Sequence, residues 1–124
     1  MPKCCFTLPW VPSVNHYWRV WKSRILLSEA GRKYRTDAQV SVWQQFHGMP
    51  RKMLGRCRVV IVTHAPDKRV FDLDNRLKAS IDALQHCGVL GNDSQIDDLR
   101  ILRGEVSKAD PRLEVEVEEI RDVA

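Results

Sequence analysis

The run Cys57-Arg58-Val59-Val60-Ile61-Val62-Thr63-His64 constrains this chain more than any other stretch. Val59 to Thr63 are all β-branched. Such side chains are stiff about χ1 and fit a pleated strand better than a helix. The run is nearly continuous rather than alternating, which predicts a central strand with both faces covered. The segment after the loop at Ala65 to Phe71 has a helical period.

That helix is expected from about Asp74 to His86, with an apolar stripe at Leu73, Leu77, Ile81 and Leu84. Gly88 is a natural stop. A longer helix is expected from Glu29 to about His47. Its apolar positions Ala30, Tyr34, Ala38, Val42 and Phe46 recur every four residues. Ser28 is its expected N-cap, and Gly48 and Pro50 end it. Short strands are expected at Cys4 to Trp10, Ile25 to Leu27 and Asp98 to Glu105. Leu113-Glu114-Val115-Glu116-Val117-Glu118 alternates strictly, so its glutamates should face outward. Lys108-Ala109-Asp110-Pro111 reads as a turn joining the last two strands into an antiparallel hairpin. The expectation is an α+β fold: a single domain over residues 1–124, with a mixed β-sheet and two principal helices.

At +4 the formal charge permits a nucleic-acid partner without demanding one. No apolar run is long enough to span a bilayer, so no membrane association is expected. Cys4, Cys5, Cys57 and Cys87 lack the spacing of a disulfide framework, which points to the reducing cytoplasm. A zinc site from Cys57, His64, His86 and Cys87 would lack the usual paired-ligand spacing.

Just past the central strand comes Phe71-Asp72-Leu73-Asp74-Asn75-Arg76-Leu77-Lys78. Asp93 follows beyond the second helix, in a turn-rich loop that can bring it back towards Asp72 and Asp74. Three carboxylates and a lysine suit a hard divalent cation, since Mg²⁺ takes oxygen ligands and keeps several waters. Such an ion activates water and polarises a phosphoryl group, while a lysine offsets charge in the transition state. A purely structural reading competes: Asp72 caps the helix, Asp74 pairs with Lys78, and Asp93 shapes a turn. Asp97 and Asp98 rank below Asp93 because they open a strand and face solvent, and His64 is a further candidate base.

Near the N-terminus, Asn15 and Arg19 lie on a loop rich in aromatic and basic residues. Trp18, Trp21, Lys22 and Arg24 follow closely. This interleaving can stack on bases and hold phosphates, or the tryptophans can simply pack on the core. Lys68 and Arg69 precede the acidic motif and Arg76 lies inside it, which makes them further candidates for DNA contact.

The residues resemble the RusA-type Holliday-junction resolvases, a family of small phage- and prophage-associated endodeoxyribonucleases. The likeness runs from Thr7 to about Ile120 and is most specific at Asp72-Leu73-Asp74-Asn75, Lys78, Asp82-Ala83-Leu84, Gly88, Asp93 and Gln95. Leu8-Pro9-Trp10, Pro12-Ser13, Asn15, Tyr17, Arg19 and Pro66-Asp67-Lys68-Arg69 also match. The resemblance implies that Asp72, Asp74 and Asp93 bind Mg²⁺, or Mn²⁺ in its place, and that Lys78 assists catalysis. It also implies a homodimer that sets two active sites on opposed strands of a four-way DNA junction, for recombination and repair. The chain departs from the family pattern twice. Val70 and Phe71 stand where relatives often carry arginines, and Asn92 stands where an acid often precedes the downstream aspartate. The rival readings are a non-catalytic basic DNA-binding module and a purely structural domain.

Overall fold

The computed structural model describes residues 2–121. Strands β1 (Lys3–Pro9), β4 (Arg56–His64), β5 (Ile96–Arg103) and β6 (Arg112–Arg121) form one sheet in the order β1-β6-β4-β5. Helices α1 (Val14–Tyr17), α2 (Glu29–Gln45) and α3 (Asp74–His86) complete the main layer pair, and β2 (Trp18–Trp21) and β3 (Arg24–Leu27) form a separate ribbon. The sheet is mixed: β4 runs parallel to β5 and antiparallel to β6, and β1 is antiparallel to β6. This is the expected α+β architecture with two long helices.

The expected β5–β6 hairpin does not form. β4 lies between the two strands, and β4-α3-β5 is a crossover unit. Burial decides this. Leu113, Val115 and Val117 of β6 are all buried, so β6 takes an interior place between β1 and β4. Leu99 and Leu102 of β5 stay exposed at the edge. Parallel neighbours need a long connection, which α3 supplies.

The central strand also differs from expectation in its faces. Its burial alternates: Cys57, Val59, Ile61 and Thr63 are fully covered, whereas Arg58, Val60, Val62 and His64 are only half-buried. The second face carries cross-strand ion pairs instead of helices. Lys3 meets Glu116 at 2.6 Å, Arg58 meets Asp98 at 2.9 Å, and Arg58 also meets Glu118 at 3.5 Å. Long stems of such residues shelter apolar neighbours while their heads stay wet, so a one-sided sheet can carry an uninterrupted β-branched run.

The helices follow their local signals. Ser28 caps α2, its Oγ accepting from the Gly31 N–H at 2.9 Å. Gly31, Tyr34, Ala38 and Val42 are the buried positions, so Gly31 replaces the expected Ala30. A Cβ at Gly31 would run into the Tyr17 carbonyl, which explains why the smallest residue sits there. The helix ends two residues short of His47, where Gly48 turns at φ 143° and donates to the Trp43 carbonyl at 2.8 Å. α3 spans the predicted residues, and Gly88 ends it at φ 89°. Leu8, Ile61, Leu84 and Leu113 are fully buried between helices and sheet. Each contributes about 1.5–3 kcal/mol by leaving water.

Candidate active site

A cleft of about 480 Å³ runs between α3 and the edge strand β5, lined among others by Trp18, Asp74, Lys78, Asp82, Asp93 and Leu99. Helical spacing of four sets Asp74, Lys78 and Asp82 along one face of α3. Asp72, Asp74 and Lys78 are exposed, as groups meant for a solvent-borne ligand must be.

The charge pairing singles out the predicted acids. Asp37, Asp67, Asp82, Asp97, Asp98 and Asp110 each lie within ion-pair distance of a lysine or arginine. Among the described residues, Asp72, Asp74 and Asp93 are the aspartates without such a partner. Asp97 and Asp98, ranked lower from the sequence, are held by Arg56 with Arg121 and by Arg58 with Arg100.

The structural roles that could have explained the three acids are otherwise filled. The N-cap of α3 is Leu73, with no side-chain cap bond, and the Asp72 carboxylate receives only a long 3.5 Å approach from Asn75 Nδ2. Lys78 pairs with neither Asp74 nor Asp82, and its Nζ lies 5.6 Å from the centre of the Trp18 ring. The turn at Asp93 is built by its neighbours. Asn92 Oδ1 accepts from the Ser94 N–H at 2.8 Å, and Gln95 Oε1 accepts from the Asn92 N–H at 2.9 Å. Asn92, the departure from the family pattern, is therefore a capping residue.

The loop does not carry Asp93 back to the other two acids. Because α3 runs against β4 and β5, Asp72 and Asp74 sit at the C-terminal edge of the parallel pair, where Arg103 Nη2 donates to the Phe71 carbonyl at 2.9 Å. The Asp93 loop is tied to the opposite edge, with Arg56 Nη2 donating to the Ser94 carbonyl at 2.6 Å and the Met53 N–H to the Val89 carbonyl at 2.9 Å. A helix of 13 residues separates the two ends by about 20 Å. Among the described residues no three His, Cys, Asp or Glu side chains gather as a ready-made metal cage. The zinc set is likewise dispersed, since Cys57 and Cys87 are buried, His64 is on the open sheet face and His86 is exposed.

Asp82 belongs to the scaffold. It accepts from Arg35 Nε and Nη2, each at 2.8 Å, and from the Tyr17 hydroxyl. Burial alone would push its carboxyl up, but the Arg35 and Tyr17 hydrogen bonds outweigh it and hold the pKa below the ordinary value. The triad fixes α1 and α2 against α3, and Tyr17 presents its ring edge-on to Trp18 at 4.9 Å. Sequence reasoning placed Asp82 on the helix face but missed Arg35 and Tyr17, because nothing local marks partners 47 and 65 positions away.

Of the candidate DNA contacts, Asn15, Arg19, Lys68 and Arg69 are exposed. The Arg69 side chain is 91% exposed, and its backbone N–H donates to Asp67 Oδ1 at 2.9 Å. Arg76 is half-buried. Its Nη1 donates to the Val11 carbonyl at 2.7 Å, its guanidinium lies against the Trp10 and Phe71 rings, and burial lowers its pKa from the usual guanidinium value. His64, the candidate base, faces away from the cleft. Its Nδ1 donates to the Glu105 carbonyl at 2.8 Å, and its Nε2 lies 2.7 Å from Glu114.

Known proteins resemble this chain over most of its length. Residues 8–118 match the family model described as endodeoxyribonuclease RusA. The chain is 39% identical over 118 residues to the crossover junction endodeoxyribonuclease of Enterobacteria phage HK97, covering 95% of this chain and 96% of that one. It is 37% identical over 118 residues to the enzyme of the same name from Enterobacteria phage 82, with 92% of each covered. It is 36% identical over 114 residues to that from Shigella sonnei, again with 92% of each covered. With the family model spanning most of the chain and these relatives matching it over more than nine tenths of its length, the protein belongs to the RusA endodeoxyribonuclease family.

Proposed function

We propose that this protein is a Mg²⁺-dependent endodeoxyribonuclease, with Mn²⁺ able to substitute, that resolves four-way DNA junctions by paired phosphodiester hydrolysis. The whole chain is read as one catalytic unit acting as a homodimer in the cytoplasm. The observation that carries this reading is the set of three aspartates without a cationic partner among the described residues: Asp74 and Asp93 line one cleft with Lys78, and Asp72 precedes the helix at its Asp74 end.

The donor chemistry fits the ion. The cleft offers carboxylate oxygens and no thiolate or imidazole, and Mg²⁺ needs only one or two carboxylates with water and substrate phosphate. Bound there, the ion would supply an activated water and polarise the phosphoryl oxygen. Asp72 and Asp74 would hold it at the N-terminal end of α3. Lys78, one turn on, would direct its Nζ charge at the oxygens that become more negative during attack. Lys68, Arg69, Arg19 and Asn15 would hold the flanking phosphates, with Arg76 bracing the Trp10–Phe71 corner beneath them. Asp93 lies too far along the cleft to serve the ion in its own chain. In a two-fold dimer it would complete the carboxylate set of the other copy.

That separation also favours a second reading, a basic module that binds DNA without cutting it. Incubation with a synthetic four-way junction in Mg²⁺ and in EDTA separates the two. The nuclease reading expects paired nicks with Mg²⁺ and none with EDTA, and an Asp74→Asn protein that binds the junction uncut. Cutting by Asp74→Asn at the native rate removes the metal site. Binding without cutting in either Mg²⁺ or Mn²⁺ establishes the module.

A further inference from the structure

The β2–β3 ribbon stands outside the main sheet. Its register pairs Trp18 with Leu27, Arg19 with Leu26, Val20 with Ile25 and Trp21 with Arg24. Alternation therefore puts Trp18, Leu27, Val20 and Ile25 on one face. At the root of the ribbon this face joins the core, where Trp18 and Leu27 pack. One pair further out it leaves the core altogether: Val20 is 74% exposed and Ile25 69%. Trp21, on the other face, is 55% exposed. The turn is made by Lys22 and Ser23, both at positive φ without being glycine, a conformation held at some cost in strain. Residues 18–27 carry Arg19, Lys22 and Arg24 and no acid.

The root is firmly seated. Ser28 Oγ donates to the Tyr17 carbonyl at 2.9 Å, Tyr17 is locked by Asp82, and Trp18 lines the cleft beside Lys78. A rigid base, an unpartnered apolar tip and an unbroken positive charge make a projecting arm next to the candidate catalytic groups.

We propose that this ribbon is a base-contacting arm: Val20 and Ile25, with Trp21, press against bases unstacked at the branch point of a DNA junction, while Arg19, Lys22 and Arg24 hold the adjoining phosphates. The proposal rests on the junction-cleaving reading and adds the surface that separates branched from linear DNA. An intact duplex offers phosphates but keeps its base faces stacked, so an aliphatic stripe gains nothing from it. At a branch point base faces open, and apolar side chains or aromatic rings recover part of the lost stacking. A second copy of the chain is the other conceivable occupant. It would have to meet three cations, yet Glu114, Glu116 and Glu118 of its open sheet face are already engaged by Arg112, Lys3 and Arg58, and its aspartates without a cationic partner, Asp72, Asp74 and Asp93, belong to the candidate metal site. Charge complementarity therefore favours the polyanion.

The test uses the full chain in EDTA, a four-way junction carrying 2-aminopurine beside the crossover, and a linear duplex of equal length. Val20→Ser/Ile25→Ser should lower junction affinity about tenfold or more and abolish the rise in 2-aminopurine fluorescence. Duplex affinity, melting temperature and sedimentation should not change. Trp21→Ala, on the opposite face of the ribbon from the stripe, should lower junction affinity in the same selective way and serves as the second probe should the double variant melt early. An unchanged junction-to-duplex ratio in both variants overturns the arm. So does a shift to a smaller sedimenting species, which would assign the stripe to a contact between copies. Wild-type protein with no junction preference instead fails the parent reading, so the two failures are distinguishable.

Discussion

Lys78 shows how magnitudes separate a structural residue from a functional one. As a helix-surface partner of Asp74 it would be worth about 0.3–0.5 kcal/mol, and the structure does not form that pair. Its contact with the Trp18 ring, at 5.6 Å, adds about 0.5–1 kcal/mol at an exposed site. As a group facing transition-state charge it would be worth roughly 3 kcal/mol. Lys78→Ala should therefore melt within a few degrees of wild type and still bind junction DNA. Its single-turnover cleavage at saturating Mg²⁺ should fall about a hundredfold or more. Lys78→Arg should recover part of that rate if charge is what matters, and little if a compact ammonium orients water. An Ala variant with most of its rate would leave the site to the aspartates alone.

At the scale of elements, one cluster of charges ties three strands together. Asp97 on β5 receives Arg56 of β4 at 2.5 Å and Arg121 of β6. The hydrogen bonds from Arg56, then those from Arg121, lower its pKa from the ordinary 3.8 to about 2. A depressed carboxylate pKa adds stability that is fully present above the unfolded value and lost as pH falls through the folded one. Wild-type stability should therefore decline between pH 3.8 and about 2. Asp97→Asn should be less stable at neutral pH and flatter across that window when urea midpoints are measured at successive pH values. Parallel curves for the two proteins would mean that the cluster does not couple to folding. The cluster also steadies the Asp93 loop, since Arg56 holds both Asp97 and the Ser94 carbonyl.

At the scale of the molecule, the question is whether one chain makes a whole site. Asp72 and Asp74 lie at one end of α3 and Asp93 at the other, so a dimer that shares sites predicts complementation. Asp74→Asn and Asp93→Asn should each be inactive alone. Mixed and re-equilibrated, random pairing in a two-fold dimer leaves about a quarter of the sites with a full carboxylate set. The mixture should therefore regain nicking activity while producing few paired cuts. A mixture as inactive as its components would mean that Asp93 serves its own chain or none.

The sequence by itself determined what depends on bonds within a few residues. The bounds of α3, the Ser28 cap of α2 and the in–out alternation of Leu113 to Glu118 were all legible, because period and capping are local. The acids were legible as a cluster of motifs, although their freedom from cations was not. Only the tertiary structure decided which strands became neighbours, since β6 and β5 compete for the interior by how much apolar face each must bury. It decided that one face of β4 is sheltered by ion pairs rather than helices. It paired Asp82 with Arg35 and Tyr17 across the fold and left Asp74 and Lys78 unpaired. It also carried Asp93 to the far end of the cleft. The turn residues after Gly88 announce a loop but not its direction, and that direction follows from α3 lying antiparallel to the two parallel strands it connects.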